Sequence, residues 1–163
     1  MQTTKSAASA GLQVGLLWFG LAALGGGCGS NGGSTTSISS QPLSGKVGGQ
    51  PWTLGTGATN SFLSSTSRYW VEAYAESFTP CTGSASANAD EIIMNVPMTV
   101  GHYAVSIDLN QTFYVAASDE NLVATRGEID IAEITATTIT GGASFAYDAN
   151  NSVDGQFQAT ICP

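Results

Sequence analysis

Few side chains in this 163-residue sequence are equipped for chemistry. His102 is its single histidine. A Ser-His-Asp site needs a base held by an orienting carboxylate. No G-x-S-x-G elbow occurs, and a histidine between Gly101 and Tyr103 reads as the entry to a strand. Zinc needs several His or Cys ligands, more than one histidine beside a paired cysteine couple supplies. We therefore assign no catalytic residue, no metal and no cofactor from the sequence. The most enzyme-like or sugar-binding constellation is Trp70, Glu72, Tyr74 and Glu76, which alternate along Arg68 to Phe78 and share one face of a strand. Aromatic rings there could stack on sugars, while paired carboxylates are the groups that flank a glycosidic bond. The plainer reading is an exposed sheet face with alternating solubilising charge.

Two oxygen-rich loops stand apart. Asp148-Ala149-Asn150-Asn151-Ser152 begins like a calcium loop, but Val153 takes the place of the required Gly and Ala159 that of the closing Glu. A hairpin turn accounts for the same residues, since Asp and Asn tolerate turn backbone angles. Asp119-Glu120-Asn121 is the other, and it could join a cation site with distant partners. Gly55-Thr56-Gly57 is no phosphate loop, because no helical pattern follows it.

The elements that must position these residues read as strands. Glu91 to Val96, His102 to Ile107 and Thr112 to Ala117 are short runs rich in Ile, Val and aromatics. Gly127 to Ile131 alternates, with Ile129 and Ile131 inward and Glu128 and Asp130 outward. Ala132 to Ala136 breaks that alternation and reads as a bulge or bend. Ala143, Phe145 and Tyr147 match Val153, Phe157, Ala159 and Ile161 across the Asp148 to Asn151 turn, as a hairpin requires. After the N-terminal segment no stretch shows a convincing helical period. The expected class is all-β, a single antiparallel β-sandwich or small barrel over residues 42–163.

The sequence holds three cysteines, Cys28, Cys81 and Cys162. With Cys28 set aside, the remaining pair is expected to form a disulfide in an exported protein. It would close a loop of roughly 80 residues, worth about 4.5 kcal/mol by chain entropy. Neither thiol has a C-x-x-C partner or a basic neighbour to activate it.

Ahead of the strands lies an address. Lys5 supplies a positive n-region, and the apolar run Leu12 to Leu24 is shorter than the about 20 residues that span a bilayer. Residues 1–27 are expected to be a cleaved signal peptide. Leu24-Gly25-Gly26-Gly27-Cys28 resembles the lipobox of bacterial lipoproteins, in which the cysteine is lipidated. It departs by having Gly25 where the family usually has Leu. Ordinary secretion with cleavage nearby is the rival reading. Residues 28–41, rich in Gly, Ser and Thr and without charge, read as a flexible tether. By resemblance to Gram-negative sorting, Gly29 after the cysteine points to the outer membrane, with a periplasmic or secreted protein as the alternative.

Charge narrows the partners. Only 10% of residues are charged, against about 25% ordinarily. Twelve acids against four bases leave a formal charge of −8, and every acid lies between Glu72 and Asp154. Nucleic acid is excluded as a partner for want of clustered Lys and Arg. Electrostatic attachment to anionic lipid is excluded likewise.

The opening Leu43-Ser44-Gly45-Lys46-Val47-Gly48-Gly49-Gln50-Pro51-Trp52 resembles a G-x-V-x-G-x-x-W start found in uncharacterised β-domains of bacterial lipoproteins. Similar in order are Pro97 with Gly101-His102-Tyr103, Gly127 to Ile131, Ile139 to Phe145, and Asp154-Gly155-Gln156-Phe157 through Cys162. The resemblance covers most of residues 43–162. That family has no established activity, so it implies no functional residues. The expected protein is exported, anchored to a membrane by lipid on Cys28, and non-enzymatic, with a structural or interaction role toward an envelope protein or glycan. The alternative is a carbohydrate-binding module, with or without calcium; a small hydrolase has least support.

Mass spectrometry of the mature N-terminus should find lipidated Cys28 as its first residue. An unmodified terminus beyond Cys28 would overturn the anchor.

Overall fold

The structure, a computed structural model, describes residues 37–163. The segment expected to be a signal peptide, the expected lipidation site Cys28 and residues 28–36 of the expected tether lie outside the described residues. Eleven strands form one sheet, and the described residues contain no helix. In chain order they are β1 (Ser44–Val47), β2 (Gln50–Thr53), β3 (Thr56–Thr59), β4 (Arg68–Tyr74), β5 (Glu91–Pro97) and β6 (Gly101–Ala104). They continue with β7 (Gln111–Val115), β8 (Glu120–Val123), β9 (Arg126–Ile134), β10 (Thr138–Ala146) and β11 (Ser152–Thr160).

The sheet runs β6-β9-β10-β11-β3-β4-β5-β7-β8, with β1 and β2 branching from β11. The all-β expectation holds. The sheet is not wholly antiparallel, however: β11 meets β3 in parallel at Thr160 and Ala58. This becomes possible because β1 occupies only the first part of the same edge of β11, pairing Ser44 with Asp154 and Lys46 with Ser152. Curling brings distant strands together as a half-barrel. The rings of Phe113 on β7 and Phe145 on β10 lie 5.3 Å apart across the core, although four strands separate β7 from β10 in the sheet. Such a tilted pair adds to the burial of its two rings.

Inward positions follow strand alternation. Val71 and Ala73, Ile92, Met94 and Val96, and Ile129 and Ile131 are all buried. The C-terminal hairpin pairs Phe145 with Val153 and Ile139 with Ala159. Its turn closes where the Tyr147 amide donates to the Asn151 carbonyl at 2.9 Å. Between β9 and β10 the register shifts at Thr140 and Gly141, so Ala132 is the extra residue of a β-bulge inside the expected segment. The β1–β2 hairpin turns on Gly48 and Gly49, whose φ angles of 58° and 79° are those a two-residue type I′ turn demands.

Three strand ends differ from the sequence reading. β4 stops at Tyr74, well short of Phe78, because the chain leaves the sheet there to form a long connection. The run expected over His102 to Ile107 ends at Ala104. The Val105 amide still bonds Gly127, but Ser106 then turns the chain by accepting from the Leu109 amide, leaving Ile107 exposed and Leu109 buried. β7 ends at Val115, where the Ser118 amide turns back onto its carbonyl. Ahead of Pro42, the Ser39 amide donates to Asp154, and the Gln156 side chain donates to the Ser39 carbonyl.

Phe113 is fully buried at the centre of this packing. Phe113→Ala should lower the unfolding free energy by about 3–5 kcal/mol in urea titrations. A loss below about 1 kcal/mol would show that the Phe113–Phe145 contact does not organise the core.

Candidate functional site

The register of four strands builds a floor on the outer face of the sheet. Tyr74 on β4 faces Thr56 on β3 and Glu91 on β5, and Glu91 in turn faces Tyr114 on β7. One row along, Glu72 lies between Ala58 and Ile93. Glu72 and Glu91 are thus diagonal neighbours on adjacent strands, close enough for long side chains to interact.

Over this floor runs the connection of residues 75–90 between β4 and β5, here called the strap. It leaves the sheet with the Phe78 amide donating to the Thr56 hydroxyl at 3.0 Å and the Phe78 ring 5.6 Å from that of Tyr74. It returns at Asp90, whose carboxylate accepts from the Ala116 amide at 2.9 Å. Cys81 on the strap is joined to Cys162 in the C-terminal tail, with Cα atoms 5.4 Å apart, as the cysteine count anticipates. Floor, strap and tail together line a groove of about 610 Å³.

The ionisation of its groups is coupled. Burial pushes the Glu91 carboxyl up to about 7; the neighbouring Glu72 charge adds to the rise, and hydrogen bonding with Tyr74 partly offsets it. Burial, then the charges of Glu91 and Glu72, raise the Tyr74 phenol far above its ordinary value. Glu72 accepts from Asn60 Nδ2 at 2.9 Å, which orients it at the groove wall. Tyr114 donates to Asp119 at 3.0 Å. The arrangement offers two carboxylates, one of them readily protonated near neutrality, between phenol rings and the Phe78 ring. It can accept hydrogen bonds from hydroxyls or amines and give flat apolar surface to a ring.

The four expected site residues separate. Glu72 and Tyr74 line the groove, whereas Trp70, on the same strand face, does not. Trp70 is half-buried, and its indole nitrogen is enclosed with no acceptor. Glu76 lies beyond the end of β4, where the amide and hydroxyl of Ser86 donate to it and hold its carboxyl below the usual range. It is a brace within the strap. Sequence reading missed Glu91 as a partner of Glu72. The alternation Glu91, Ile93, Asn95 does mark Glu91 as outward, but only the register sets it beside Tyr74.

The remaining candidates lie elsewhere. His102 pairs with Glu128 at 3.4 Å on the β6–β9 side and is largely exposed. Asp148 accepts from the Asn150 amide and from Asn151 Nδ2, both at 2.9 Å, so its loop is a self-bonded hairpin turn. Among the described residues no three His, Cys, Asp or Glu side chains converge as metal ligands. A second groove of about 500 Å³ crosses β1, β11, β10 and β9. Its acids are already engaged, Asp154 by the Ser39 amide and Glu128 by His102. The chain matches no protein-family model, no curated protein and no solved structure.

The sign of the Glu91 effect on stability follows from its raised value. Between about 4.5 and about 7 the folded domain keeps a proton that the unfolded chain releases, so stability falls as pH rises through that window. Solvent screens this half-buried group, so the loss between about pH 5 and about pH 8 should be about 1 kcal/mol relative to Glu91→Gln. Parallel pH profiles of the two proteins in urea titrations would refute the coupling.

Proposed function

We propose that the protein is an exported, lipid-anchored domain of the cell envelope that works by binding rather than by catalysis, with the strapped groove as its binding site. The observation that carries this reading is the placement of Glu72, Glu91, Tyr74 and Tyr114 as one polar and aromatic floor beneath a disulfide-tied wall. A disulfide in a small acidic domain fits an oxidising location outside the cytoplasm. The lipobox-like Leu24 to Cys28 and the resemblance of residues 43–162 to bacterial lipoprotein β-domains support the anchor and the envelope role.

Within this reading the ligand class favoured by the floor is a carbohydrate. Carboxylates accept hydrogen bonds from sugar hydroxyls, and phenol rings stack against the C–H faces of pyranose rings. The platform differs from one centred on Trp70. The site is Glu72, Tyr74, Glu91 and Tyr114, with Phe78 along the strap. Catalysis has less support, because the sole histidine is paired with Glu128 on the β6–β9 side and does not line the groove.

Thermal melting of the protein against a panel of soluble envelope glycans, with and without calcium, tests the reading. A ligand should raise the melting temperature, and Glu72→Gln or Tyr114→Ala should weaken its binding about tenfold while leaving the fold intact. A panel without any shift, or a shift unchanged by either substitution, would remove the groove as a sugar site.

A further inference from the structure

We propose that the Cys81–Cys162 disulfide is a redox latch on the strap: reduction by a dithiol frees residues 79–89 and opens the groove, while the sheet stays folded. Its use as a gate rests on the binding reading above; the opening itself does not.

The attachment points of the strap define the hinge. Phe78 at one end and Asp90 at the other are hydrogen-bonded to the sheet. Between them, the hydrogen bonds of the described residues stay within the strap. The Gly83 amide bonds Thr79, the Ala89 amide bonds Ser86, and Ser86 bonds Glu76. The disulfide is the covalent tie between this stretch and the remainder of the domain. Most of these residues are exposed, so little apolar burial holds them down.

The hydrogen bonds of the sheet do not run through the same bond. Neither cysteine lies in a strand or in the hydrophobic core. The tail has its own attachments beyond β11, because the Ile161 amide donates to Thr137 and the Cys162 amide to the Thr59 hydroxyl, both at 2.8 Å. The pairing of β11 with β10, β1 and β3 involves neither cysteine. Cys81 also has a φ of 66°, in the left-handed region that a side-chain-bearing residue seldom occupies. Release lets that backbone relax.

The chemistry is ordinary thiol–disulfide exchange. A thiolate of the dithiol attacks the sulfur of exposed Cys81, the protein S–S bond breaks, and Cys162 leaves as a thiolate that takes up a proton. The second thiol of the reductant then attacks the mixed disulfide and releases Cys81. The protein gains two electrons and two protons, and the dithiol departs as its disulfide. Removing the latch exposes the floor carboxylates to water, which lowers the burial that holds Glu91 protonated.

Hydrogen exchange of the full chain, oxidised and after dithiothreitol, decides the question. Amides of residues 79–89 should exchange at least tenfold faster on reduction, while those of β4, β5, β10 and β11 change less than threefold. A Cys81→Ser, Cys162→Ser double variant should match the reduced protein without reductant. Loss of protection across β10 and β11 together with the strap would make the disulfide a staple of the whole domain and overturn the latch. Unchanged exchange in the strap would overturn it equally. If a glycan from the panel binds, faster association with the reduced protein supports the gate, and equal rates refute it. Binding in neither state counts against the groove as a sugar site and leaves the exchange result to judge the latch.

Discussion

The fold depends on how one edge of β11 is shared. Its first residues pair antiparallel with β1, and its last contact on that edge is a parallel pairing with β3. Through the second contact the β6-β9-β10-β11 half is hydrogen-bonded to the β3-β4-β5-β7-β8 half. Phe113 and Phe145 then meet across the space between the halves, and their burial sets the core. If β1 ran further along β11, β3 would have no edge to join. The sheet would then divide, and the floor that carries Glu72 and Tyr74 would lose its place beside the C-terminal tail.

That division of labour explains where the groove lies. The inner face of every long strand is committed to the core, so polar chemistry is confined to the outer face. Most of that face is open to water. On β3, β4, β5 and β7 it is walled instead, because the chain makes its longest excursion between β4 and β5 and is tied there to its own C-terminus. Glu72, Glu91 and Tyr74 are half-buried there, with residues of this wall lining the same groove. The raised Glu91 carboxyl reflects burial at this walled part of the sheet, with the charge of Glu72 on the neighbouring strand adding to it.

Local pattern was legible wherever a single strand or turn decided the outcome. Ile129 and Ile131 point inward because alternation is a property of one strand, and the Asp148 to Asn151 turn forms because those side chains bond their own backbone. The bulge at Ala132 showed as broken alternation, and the disulfide followed from counting cysteines. What stayed hidden depends on which strands become neighbours. Nothing local to Glu91 says that Tyr74 will stand opposite it, and nothing in the Arg68 to Phe78 pattern says that Trp70 will fall outside the groove which Glu72 enters. The strap was illegible for a further reason: Glu76 and Phe78 continue the alternation of β4 perfectly well, yet the Thr56 hydroxyl and the Ser86 donors draw them off the sheet.

Among the described residues, the three strands left with an unpaired side, β2, β6 and β8, are each four residues long. A strand from another copy would find there only a short footing, interrupted by Pro51 on β2 and opened by the charge of Glu120 on β8. Such edges are poor templates for chain-to-chain pairing. A sheet of eleven strands with long open margins would be prone to stack edge to edge. Short margins offer an incoming strand few free backbone groups, and the acidic charge concentrated between Glu72 and Asp154 adds repulsion between like molecules.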